Sequence, residues 1–82
     1  MRNYSHLENV LQSVGVGPEW YKRGSLADGK NAIFLDCSVK RGLALIDKIL
    51  NSVPEINILI TTYLPDEDYL EIAVTPERNT ND

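Results

Sequence analysis

The chain has 82 residues, 43% of them hydrophobic, with 8 Lys/Arg against 12 Asp/Glu and a net charge of −4. One small domain is expected, burying only roughly 60–65% of its unfolded surface, which leaves little stability for a deep catalytic cleft or a strained loop. No run approaches the ~18 apolar residues of a membrane span, and the opening Met1-Arg2-Asn3-Tyr4-Ser5-His6 lacks a signal-peptide core, so a cytoplasmic protein without membrane insertion is expected.

Cys37 is the single cysteine and His6 the single histidine, which excludes an internal disulfide and leaves too few ligands for a structural zinc site. No cofactor motif is present. Charge is divided along the chain. Residues 1–42 carry six basic side chains against four acidic, a balance of +2, whereas residues 43–82 carry two against eight, a balance of −6. Such a split can steer a basic partner to one side of the molecule.

The first helix is signalled by Ser5 and Glu8, spaced as a capping box, and by Leu7, Val10, Leu11 and Val14 at helical period; Gly15, Gly17 and Pro18 end it. Glu19 to Ser25 reads as a strand, Asp28-Gly29 as a turn, and Ala32-Ile33-Phe34-Leu35 as the returning strand of a hairpin. A second helix begins near Ser38, carries Val39, Leu43, Ile46, Ile49, Leu50 and Val53 on one apolar face, and stops before Pro54. Two alternating strands follow, with Ile56, Ile58 and Ile60 in one and Leu70, Ile72 and Val74 in the other, joined by the acidic turn Pro65-Asp66-Glu67-Asp68. The domain is expected to span residues 1–76, and the polar stretch 77–82 to be a flexible tail.

Residues 7–14 align with residues 46–53, with three identities and four close matches, and Pro18-Glu19 corresponds to Pro54-Glu55. The chain thus reads as helix–strand–strand twice, a pseudo-repeat inside one domain. Two helices and two hairpins bury their apolar stripes by stacking both helices on one face of a four-stranded antiparallel sheet. The expected fold is a two-layer α+β sandwich in αββαββ order, the order obtained by moving the first strand of a ferredoxin-like βαββαβ unit to the C-terminus. That likeness concerns architecture and carries no function.

Alternation then turns Leu59, Thr61, Tyr63, Tyr69, Glu71 and Ala73 to the uncovered face of the sheet. Tyrosines combine an apolar body with a polar tip, so Leu59, Tyr63, Tyr69 and Glu71, together with Asp66, Glu67 and Asp68 at the hairpin tip, form the expected partner-binding surface. The three carboxylates would accelerate encounter with a cationic surface; a calcium loop would also require the glycine and distal glutamate that are missing here. Cys37, Lys40 and Arg41 at a helix start are the alternative centre, for a bound anion or a reactive thiol, but a cysteine-phosphatase loop needs five residues between Cys and Arg and only three intervene. Trp20, Tyr21, Lys22 and Arg23 interleave aromatics with cations in the manner of a nucleic-acid surface, against the overall negative charge. His6 reads as a surface residue, and Gly15-Val16-Gly17-Pro18 follows a helix instead of opening one, unlike a phosphate loop.

The expectation is a non-enzymatic, acidic protein-binding module without cofactors, metal or catalytic residues. Its partner would be another protein, with a homodimer or structural assembly as the alternative. Small stoichiometric inhibitors such as immunity proteins, antitoxins and phage-encoded regulators share this size and charge, a compositional similarity only.

Overall fold

The computed structural model describes residues 4–76, so the expected tail at 77–82 lies outside the described residues. Helix α1, Ser5–Ser13, buries Leu7, Val10 and Leu11 on its apolar stripe. Its N-cap is Tyr4, one residue earlier than the Ser5/Glu8 spacing suggests, and no side chain caps it. The Glu8 side chain is drawn instead to Tyr21 and Arg23. Gly15, at φ +90°, reverses the chain after α1, where Val16 N–H returns to the Leu11 carbonyl. A 3₁₀ turn, Pro18–Trp20, shortens the first expected strand to β1, Lys22–Ser25.

The hairpin to β2, Asn31–Cys37, turns at Gly29 (φ +88°), and the Asp28 carboxylate accepts from Lys30 N–H at 3.0 Å. Helix α2, Val39–Ser52, starts where Ser38 Oγ accepts from Arg41 N–H at 3.3 Å and ends just before Pro54. Strand β3, Asn57–Leu64, a 3₁₀ turn, Pro65–Glu67, and strand β4, Tyr69–Thr75, complete the fold.

The sheet is antiparallel throughout, in the order β1-β2-β4-β3. Strands β2 and β3 are therefore parallel to each other with β4 between them, so β2–α2–β3 is a split β–α–β unit of the ferredoxin-like kind. Exchanging the two helix–strand–strand halves leaves this order unchanged, in keeping with the internal sequence similarity. Both helices lie on one face, α2 packed on β4 and β2, and α1 packed on β2 and against α2. Leu7, Leu11, Ile33, Ile49, Leu70, Ile72 and Val74 fill the space between the layers and are fully or almost fully buried. Gly42 brings α2 close to the sheet, because a β-carbon there would collide with Leu70 Cδ2 and stand 2.9 Å from Cys37 Sγ.

Strand β3 departs from its expected alternation. Ile60 pairs with Ile72, but the next pair is Thr62 with Glu71, so Thr61 is the extra residue of a β-bulge. Past the bulge, Tyr63 pairs with the core residue Leu70 and Leu64 with Tyr69. Tyr63 consequently lies on the helix side of the sheet, which corrects its expected place on the open face, because one inserted residue exchanges the faces of all that follow.

Candidate functional site

The two edges of the sheet are built differently. Edge β1 is short, carries Lys22 and Arg23, and is held by α1: Arg23 Nη2 donates to both Glu8 oxygens at 3.0 and 3.1 Å and lies over the Tyr4 ring, whose hydroxyl donates to the Gly24 carbonyl at 2.8 Å. The Tyr21 hydroxyl also donates to Glu8, at 2.8 Å. These bonds, Tyr21 first and Arg23 second, hold the Glu8 carboxyl below its ordinary pKa.

Edge β3 has eight residues, no charged side chain, and an outer backbone edge that pairs with no strand among the described residues. Its large side chains are open on both faces. Leu59 and Leu64, 39% and 42% exposed, stand on the open face, while Ile60 and Tyr63, 52% and 56% exposed, stand on the helix side beyond the reach of the helices. Ile60 was expected in the core; it is uncovered because α2 sits over β4 and β2. Leu43 and Leu50, also expected in the core, are seven residues apart on the flank of α2 turned away from α1 and are exposed as well. Among the described residues, all the strongly exposed large apolar side chains apart from Trp20 thus lie on β3 or on this flank.

The open face is tied down by polar contacts between strands. The Tyr69 hydroxyl donates to Asp36 at 3.3 Å, and Thr61 and Thr62 donate to Glu71 Oε1 at 2.8 and 3.4 Å. Burial first, and then the Asp36 and Glu71 carboxylates, push the Tyr69 phenol above its ordinary pKa. Phe34, half-buried, covers Gly24, and Ala73 between Phe34 and Leu59 is fully buried without any layer above it. Of the expected surface, Leu59 is exposed on this face, Tyr69 and Glu71 are half-buried and bonded, and Tyr63 is on the other side.

The acidic tip also divides. Asp68, in the left-handed region at φ +51°, accepts from Val39 N–H at 3.0 Å and so caps α2 from across the fold. It supplies the negative charge that the cationic start of α2, Lys40-Arg41, lacks in its own first turn. Asp66 and Glu67 remain exposed beside the end of β3.

No family model, curated protein or solved structure matches the chain. The site therefore stands on its own geometry.

The alternative centre at Cys37 takes a different form from the one its spacing suggests. Cys37 faces the helices, with Sγ 3.9 Å from the Leu70 carbonyl, and burial, reinforced by Asp36 and opposed by Arg41, raises the thiol pKa. A raised pKa keeps the thiol protonated, the reverse of nucleophile activation. The basic aromatic run is dispersed: Tyr21 enters the core, Arg23 pairs with Glu8, and Trp20, 64% exposed, turns to a cleft of about 450 Å³ between the end of α1, the end of β2 and α2. No described helix is long and apolar enough to cross a membrane.

The apolar edge had a signal in the sequence, the uncharged run from Ile56 to Pro65, and Leu43 and Leu50 had theirs in a seven-residue spacing. The bulge had none, since Thr61-Thr62 reads as ordinary strand.

Proposed function

We propose that this chain is a small acidic protein-binding module that acts by occupying its partner, as a stoichiometric inhibitor or regulator, and that it does so by adding an extended segment of that partner to the outer edge of β3. The supporting observation is the uncharged eight-residue edge with Leu59, Ile60, Tyr63 and Leu64 exposed along it. Such an edge offers main-chain hydrogen bonds for affinity and side chains on both faces for specificity. Natural edges are usually blunted by charge or covered, and β1 carries Lys22 and Arg23 while β3 carries neither Lys nor Arg.

Charge favours a basic partner over a second copy. Residues 54–69 carry Glu55, Asp66, Glu67 and Asp68 and no basic side chain. Antiparallel pairing of β3 with its own copy would set Glu55 of each subunit beside the acidic turn of the other. A partner strand flanked by Lys or Arg would meet opposite charge at both ends, with faster association and a stronger dependence on salt.

The test compares wild type with an Ile60→Lys, Tyr63→Lys double variant, both sites being exposed. Affinity purification from the host, followed by light scattering of the purified complex, is expected to give a one-to-one complex with a basic protein. The double variant should lose it while keeping its circular dichroism spectrum. Equal retention of that partner by the variant, or a wild-type homodimer that persists on dilution, would overturn the proposal.

A further inference from the structure

The cleft beside α2 carries an inference independent of β3. Val14, Leu35 and Leu45 contribute its apolar lining, and Trp20, an exposed residue, lines it as well. Arg41, Ala44 and Lys48 share one flank of α2 and also line the cleft. Seven residues separate the two cations, a rise of about 10 Å, and both side chains are long enough to meet over the small Ala44 between them.

Neither cation has a carboxylate partner among the described residues, where the ion pair is Arg23 with Glu8. Asp36 also borders the cleft, but its carboxylate accepts from Tyr69 on the opposite side of the sheet. A protein of net charge −4 therefore keeps a concave apolar surface whose free side-chain charges are positive. Concave apolar walls with a few convergent polar groups are the general form of a small-molecule site, and the volume lies within the usual range of about 300–1,000 Å³.

We propose that this cleft binds a small-molecule anion with a flat apolar body, its carboxylate or phosphate held jointly by Arg41 and Lys48 and its body laid between Trp20 and Leu45. The cations fix the head and the indole covers the body, a division that neither a free inorganic ion nor a neutral hydrocarbon satisfies. Trp20 is the chain's single tryptophan, so its indole N–H resonance reports occupancy of the cleft directly.

The experiment titrates the full chain by ¹H–¹⁵N NMR with 2-naphthoate, with the neutral 2-naphthamide, with 2-naphthyl phosphate and with inorganic phosphate. Both naphthyl anions are expected to shift the Trp20 indole and the amides of Val16, Arg41 and Lys48, and the tighter of the two identifies the head group. Binding of the better anion should exceed that of the amide by at least about tenfold, the value of a charge-assisted contact. Arg41→Gln and Lys48→Gln should each weaken it several-fold, and Ala44→Phe should abolish it by filling the space between the cations. Amide and anion binding alike, inorganic phosphate matching the naphthyl anions, shifts confined to β3, or no binding at millimolar ligand would each overturn the proposal.

Discussion

Replacing Gly42 by Ala sets two opposing effects against each other within one turn of α2. In an exposed helix interior the substitution would stabilise by about 1 kcal/mol, because Ala loses less backbone entropy than Gly. At Gly42 the added methyl collides with Leu70 Cδ2 and lies 2.9 Å from Cys37 Sγ and 3.3 Å from Leu70 Cγ. Leu70 is fully buried among Ile72, Ile49 and their neighbours, so it cannot swing clear as a surface side chain would. Overpacking of this kind costs about 1–3 kcal/mol, and with two obstructing side chains the upper part of that range applies. The expected net loss is about 2 kcal/mol, or a fall in Tm of ~10 °C for a domain of this size. Leu70→Val removes the obstructing methyl at a cost of about 1 kcal/mol, so the double variant should be more stable than the sum of the single losses implies, by about 1 kcal/mol. Thermal and urea unfolding of the four proteins measures the cycle. A Gly42→Ala protein as stable as wild type, or strictly additive losses, would refute the close approach of α2 to β4.

Glu8→Gln should lower Tm at neutral pH, since the carboxylate bonded to Tyr21 and Arg23 is held below its ordinary pKa. That stabilisation is complete above the unfolded carboxylate value, about 4.3, and is lost as pH falls through the lower folded value, so the Tm difference between wild type and variant should shrink on acidification. A difference that grows toward low pH would refute the assignment. Asp68→Ala removes both the outside cap on α2 and a residue tolerant of the left-handed region, with an expected loss of about 1 kcal/mol by urea unfolding; Asp68→Asn should lose less. The Cys37 thiol, raised by burial, should alkylate slowly with iodoacetamide, with an apparent pKa above the ordinary ~8.5, and Arg41→Gln should raise it further; a value below the ordinary one would restore the reactive-thiol reading.

The layering of the fold was legible because its determinants are local and periodic. Leu7, Val10 and Leu11 fall on one helical stripe, and Leu70, Ile72 and Val74 alternate along a strand that is buried as alternation requires. Ser38, Asp28-Gly29 and Pro54 mark boundaries by backbone chemistry that operates within a few residues. Contacts between distant segments were not legible. Glu8 satisfies the spacing of a capping box, yet Tyr21 and Arg23, at the edge of the sheet beneath α1, take its carboxylate instead. Asp68 looks like a solvated turn residue until β4 brings it to the start of α2. The coverage of Ile60, Leu43 and Leu50 depends on where α2 settles across the sheet, which their spacing along the chain does not specify.

The two halves of the chain share a plan and diverge where it reaches the sheet's edges. Glu8 in α1 aligns with Asp47 in α2, but Glu8 reaches across to fasten β1 through Tyr21 and Arg23, whereas Asp47 accepts from Asn51 on its own helix at 3.5 Å. Counted from the Pro18-Glu19 and Pro54-Glu55 correspondence, the place of Arg23 is taken in the second half by Leu59. The latch between helix and edge strand is therefore not made in the second half, where the carboxylate turns to its own helix and the cation is replaced by Leu59, and β3 is both longer than β1 and uncharged. A sheet edge left in that state invites pairing by any exposed strand, including its own. On the proposed reading, Glu55 ahead of β3 and Asp66 and Glu67 beyond it would oppose self-pairing without closing the edge to a strand with basic flanks, so the same carboxylates that would discourage assembly of identical copies would set the charge of the partner the edge accepts.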